Sequence, residues 1–99
     1  MSKYELTNKA VEDLNGIWEY TIEKWPEQQA DRYYNLLLNG CQDIADNPEL
    51  GRNYDGVKND LFGLKTSLHI IFYRKRFDQP IEITRILHGQ MDLKIRMVE

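Results

Sequence analysis

Residues 69–88 read HIIFYRKRFDQPIEITRILH. Two runs rich in β-formers, His69 to Arg76 and Ile81 to His88, flank the turn Phe77-Asp78-Gln79-Pro80. The stretch predicts an antiparallel hairpin. With the turn as a four-residue loop, Arg76 faces Ile81, Lys75 lies opposite Glu82 and His69 lies opposite His88. One face then holds Ile70, Phe72, Ile81, Ile83 and Leu87 with Arg74, Arg76 and Arg85, and is expected to pack on helices. The other holds His69, Ile71, Tyr73, Lys75, Glu82, Thr84, Ile86 and His88. That face is too apolar to be only solvated, which suits a bound partner. A slip of one residue would exchange the two faces.

Upstream, Leu61 to Leu68 reads as a further strand interrupted by Gly63, and Pro48 to Asp60 is rich in turn formers. Before that loop lie two helical patterns. From Lys9 to Trp25, the apolar positions Val11, Leu14, Trp18, Ile22 and Trp25 recur at spacings of three and four. Thr7-Asn8 supplies N-cap chemistry. Pro26 breaks the pattern and can start a second helix, whose stripe runs Ala30, Tyr33, Tyr34, Leu37, Leu38, Cys41, Ile44 and Ala45 until Asn47-Pro48. So short a break predicts an antiparallel helical hairpin. Tyr4-Glu5-Leu6 reads as a short first strand. The expected fold is α+β: an N-terminal strand, a helical hairpin and a three-stranded antiparallel segment in the order β-α-α-β-β-β. Residues 90–98 follow as a short helix or tail.

At 99 residues the chain is a single domain, residues 1–99, large enough for one modest core. Its net charge of −3 argues against a generic polyanion binder. The charge is uneven. Residues 1–60 carry 6 Lys/Arg against 12 Asp/Glu, and residues 61–99 carry 7 against 4. This fits either two surfaces facing different partners or helices that simply collect Glu. The lone Cys41 permits no internal disulfide and sits in the apolar stripe of the second helix, as a packed core residue would. No secretory signal and no membrane-length apolar run is visible, so a cytoplasmic protein is expected.

Candidate chemistry is sparse. His69 and His88 on one face could act as base and acid in phosphodiester cleavage, with Tyr73, Arg74 and Arg85 steadying charge if they reach that face. The alternative is two semi-exposed strand histidines. Two histidines need a third ligand for zinc, and only Asp92 stands close in sequence, so neither metal nor cofactor is expected. Trp18 and Trp25, at helical spacing, read as core rather than base-stacking residues. Arg74-Lys75-Arg76 reads as a solvated hairpin end. The apolar-rich tail, with Met91, Leu93, Ile95, Met97 and Val98, either covers the sheet or forms part of a groove for a partner's helix or strand.

Four stretches carry a family resemblance. They are Tyr4 to Ala10 (YELTNKA) with Asp13-Leu14 and Ile17, Asn47 to Arg52 (NPELGR), Ile70 to Arg74 (IIFYR), and Ile83 to Asp92 (ITRILHGQMD). Together they resemble the ParE branch of the RelE/ParE superfamily of bacterial toxins, over nearly the whole chain. The resemblance implies the toxin of a type II toxin–antitoxin system that acts by binding rather than catalysis. It implies DNA gyrase as target, with the cleaved-DNA complex trapped and replication halted. It also implies neutralisation by a ParD-like antitoxin that wraps the toxin, in complexes of heterotetramer size or larger, with no sequence-specific nucleic-acid binding by this chain alone. The RelE branch instead cleaves mRNA on the ribosome with a basic set and a C-terminal Tyr. Here His69 stands at a strand position where that branch carries Arg, and no Tyr follows Tyr73. The mRNA endonuclease, resting on His69 and His88, remains the alternative, beside a non-toxic binding module. The predicted face and the family motif together nominate Ile71, Tyr73, Ile86, His88, Met91 and Asp92 as contacts for target or antitoxin.

Overall fold

The computed structural model describes residues 3–89. Strand β1 (Tyr4–Leu6) leads directly into helix α1 (Asn8–Lys24). Thr7 caps this helix, its hydroxyl oxygen accepting the Ala10 N–H at 3.1 Å. Trp25 and Pro26 make the break, and α2 (Glu27–Asp46) follows. The two helices meet edge to face through Trp18 on Tyr34 and Trp25 on Tyr33, so both tryptophans pack as expected. Strands β2 (Arg52–Asn53), β3 (Phe62–Thr66), β4 (His69–Arg74) and β5 (Ile81–His88) complete the chain order.

The sheet has five strands in the order β1-β5-β4-β3-β2. The expected α+β architecture is present, with two additions at the edges. β1 pairs parallel to β5, placing Tyr4 beside Ile81 and Leu6 beside Ile83. The two-residue β2 forms within the stretch expected to be loop, pairing antiparallel with β3. The helical hairpin covers one face of the sheet. Leu14, Tyr33, Leu37, Cys41 and Ile44 meet Ile71, Tyr73, Ile81, Ile83 and Ile86 there in a single apolar cluster. Each fully buried Ile or Leu contributes about 1.5–3 kcal/mol over the exposed state. Burial pushes the Cys41 thiol up to about 12, which leaves it an inert packing residue.

The predicted register holds for half of the β4–β5 hairpin. His69 pairs with His88, Ile70 with Leu87, Ile71 with Ile86 and Phe72 with Arg85. Then Thr84 is left over as a bulge, and Tyr73 pairs with Ile83 and Arg74 with Glu82. The expected Lys75–Glu82 pair is therefore not made. Lys75 binds Glu49 at 2.6 Å, and Arg76 binds Glu5 at 3.0 Å.

The bulge also corrects the expected faces. Because one residue is inserted, Ile81 and Ile83 point the same way as Ile86 despite their spacing in sequence, and all three lie under the helices. Ile70, Phe72 and Leu87, expected against the helices, lie on the opposite face. There they join Leu61, with Tyr54 and Val57 from the preceding loop packed against them. Both faces are covered, one by helices and one by the 54–61 loop, so each needs apolar residues.

Candidate functional site

The two histidines fall together as the register predicts. His69 and His88 are cross-strand partners at one end of the β4–β5 hairpin, with ring centroids 5.4 Å apart in a T-shaped arrangement. Beneath them lies Tyr33 of α2, whose hydroxyl is 2.6 Å from Nδ1 of His69. The backbone N–H of Leu68 donates to the same phenol oxygen at 3.2 Å. The phenol oxygen and Nδ1 share one hydrogen bond, whose donor is set by the His69 tautomer. Burial first, and the neighbouring His88 second, push His69 down to about 4, with Asp13 opposing weakly.

This arrangement limits the chemistry available. At neutral pH His69 carries no positive charge to act as a strong acid. Nδ1 is engaged with the Tyr33 hydroxyl. The groups expected to help are elsewhere. The Tyr73 hydroxyl donates to the Pro48 carbonyl at 2.7 Å and accepts the Gly51 N–H at 2.9 Å, so it staples the loop after α2. Arg74 follows Phe72 on the opposite face of the sheet. Arg85 is held by Asp13 of α1 through Nε at 2.8 Å and a second nitrogen at 3.0 Å. The structure thus brings His69 and His88 together but not the supporting set.

The nominated contact residues divide in the same way. Ile71, Tyr73 and Ile86 are 0%, 0% and 2% exposed beneath the helices, so the reading that put them on an open face is corrected by their burial. His88 is half-buried at the rim. Met91 and Asp92, with the expected C-terminal helix or tail, lie outside the described residues.

The histidine pair instead forms part of the wall of a groove of about 750 Å³ between α1 and the ends of β4 and β5. Ile17, Tyr20, Thr21 and Trp25 supply the helical wall, and Leu68, His69 and His88 the sheet wall. Tyr20 is 62% exposed, with the Lys24 ammonium over its ring, and Leu68 is 50% exposed. Glu12 and Asp13 also line it. An apolar slot with an aromatic rim suits the apolar side chains of a partner segment. Among the described residues no cluster of three His, Cys, Asp or Glu could hold a metal, and no helix is long and apolar enough to cross a membrane.

Sequence reasoning missed Tyr33 and Asp13. Tyr33 lies on an apolar stripe, but its hydroxyl needs a polar partner when buried, and that need was the available signal. Asp13 carries no local signal, since Arg85 is 72 residues away.

Residues 4–93 match the family model described as the ParE toxin of the parDE type II toxin–antitoxin system. Toxin ParE1 of Mycobacterium tuberculosis is 33% identical over 92 residues, covering 93% of this chain and 94% of that protein. Toxin ParE of Escherichia coli is 30% identical over 99 residues, covering all of this chain and 96% of its own length. A solved chain described as part of a chromosomal ParDE system from P. aeruginosa superposes with a TM-score of 0.76. It is 17% identical, with 89% of this chain and 96% of that chain covered, and so it speaks to the fold alone.

Proposed function

The chain belongs to the ParE family of toxins from type II toxin–antitoxin systems, and from that premise we propose that it arrests growth in the bacterial cytoplasm by binding DNA gyrase. We take a ParD-like antitoxin to be its neutralising partner. The observation that carries the binding mode is the tie between Tyr33 and His69. It engages Nδ1 of His69 and burial keeps that ring neutral, while Tyr73 is tied to Pro48 and Gly51 and Arg85 to Asp13, which together favour inhibition by contact over RNA cleavage. The groove along α1 supports an antitoxin segment laid against the apolar wall of Ile17, Tyr20 and Trp25. Contacts through His88, Met91 and Asp92 belong to the same reading: His88 stands at the groove's rim, and the other two follow it within four residues in sequence.

Controlled expression with pulse labelling tests this. Thymidine incorporation should stop before amino-acid incorporation, and co-expression of a ribbon-helix-helix antitoxin should restore both. An early stop in amino-acid incorporation, with mRNA cut at ribosomes, would favour the endonuclease reading instead.

A further inference from the structure

On the sheet face away from the groove lies a separate cleft of about 340 Å³. Lys9 from the first turn of α1, Lys58 from the 54–61 loop, Arg74 from β4 and Arg85 from β5 line it. Its one carboxylate is Glu82, whose ion pair is with Arg76 at 3.8 Å. Asp13 compensates Arg85, and Lys9 is also engaged in an interaction, but Arg74 and Lys58 have no ion-pair partner among the described residues. The first turn of α1 adds no acidic side chain. A chain of net charge −3 therefore concentrates a positive excess in one concavity.

The rest of the lining narrows the occupant. The Thr7 hydroxyl proton is spent on the Thr84 carbonyl at 2.8 Å, and the Thr84 hydroxyl proton on the Phe72 carbonyl at 3.3 Å. Leu61, the large apolar residue of the lining, is 1% exposed and offers no pocket to a peptide side chain. The cleft presents charge without anchors and without neutral groups free to read base edges. Such a surface suits an anionic backbone held without regard to sequence. We infer that the cleft formed by Lys9, Lys58, Arg74 and Arg85 is a contact site for the phosphodiester backbone of duplex DNA. The choice of DNA over RNA rests on the proposed action at a DNA-bound enzyme.

Fluorescence anisotropy of the full-length chain with a labelled duplex of about 20 base pairs tests this. Two to three phosphate contacts give a slope of log K against log salt of about −2 to −3 between about 25 and 150 mM salt. Lys58→Glu with Arg74→Glu should weaken binding at least about tenfold and flatten the slope by about 2. Circular dichroism and the thermal midpoint report the fold, and Lys58→Gln with Arg74→Gln gives an intermediate loss should the reversal unfold the chain. Undiminished binding by a folded variant, equal binding of a poly-Glu peptide, or tighter binding of single-stranded RNA than of duplex would overturn the inference. Gyrase inhibition is scored separately. Inhibition by a chain that does not bind duplex rejects the cleft alone. Duplex binding by a chain without effect on gyrase rejects the target and leaves the cleft standing.

Discussion

Asp13 on α1 holds Arg85 on β5 with two hydrogen bonds, and the same carboxylate accepts the Ile86 backbone N–H at 2.9 Å. Both side chains are nearly buried, at 13% and 12% exposure. Removing one partner leaves the other's charge stranded, a loss that dominates the net value of such pairs. Asp13→Ala should cost about 3 kcal/mol in urea unfolding. Asp13→Asn, which keeps an acceptor for Ile86, should cost less. Equal stability of Asp13→Ala and the parent chain would show that the pair does not secure α1 to the bulged strand.

Tyr73 and Gly51 predict a second loss. The Tyr73 hydroxyl bridges Pro48 and Gly51 from within the core, so Tyr73→Phe leaves a carbonyl and an N–H without a partner. We expect about 1–3 kcal/mol of destabilisation. A Cβ at Gly51 would collide with the Tyr73 hydroxyl and come within 2.9 Å of the Gly63 carbonyl oxygen. Gly51→Ala should therefore destabilise at least as much as Tyr73→Phe in the same unfolding experiment.

His69 makes stability depend on pH. Its folded value of about 4 lies below the ordinary 6.5, so the unfolded chain takes up the proton first. This contribution is complete above about pH 6.5 and shrinks as pH falls toward about 4. An NMR titration of the ring protons should place the His69 midpoint near 4. A midpoint near 6.5 in the parent chain would contradict the geometry described.

If inhibition proceeds by contact, His69→Ala should leave toxicity within about the range set by its effect on folding. Truncation after Gly89, or charge reversal at Asp92, should weaken growth inhibition while the thermal midpoint changes little. Undiminished inhibition by a soluble chain ending at Gly89 would exclude the tail from target contact.

The helices were legible because their punctuation is local. Thr7 caps α1, Pro26 separates the helices and Asn47 ends α2 within a residue or two of where spacing alone places them. The pairing of His69 with His88 came out as expected although it lies beyond the bulge from the turn that anchored the register: pairing beside the turn is one residue off, and the unpaired Thr84 restores it. Thr84 was not legible, since Ile83-Thr84-Arg85 holds no glycine and reads as ordinary strand. Face assignment failed for a related reason: Leu61, Phe72 and Leu87 form a second apolar cluster, so alternation could not say which face the helices take. The parallel pairing of Tyr4–Leu6 with β5 has no turn to announce it. The basic cleft was hidden by a net charge that is negative, because Lys9, Lys58 and Arg74 lie far apart in sequence.

The central claim is inhibition of gyrase by contact, and a supercoiling and cleavage reaction with purified gyrase and the full-length chain tests it most directly. Loss of supercoiling with accumulation of linear, protein-linked DNA is the predicted result, abolished by prior addition of the antitoxin. Unchanged supercoiling by a folded chain that still arrests growth in cells would contradict gyrase as the target.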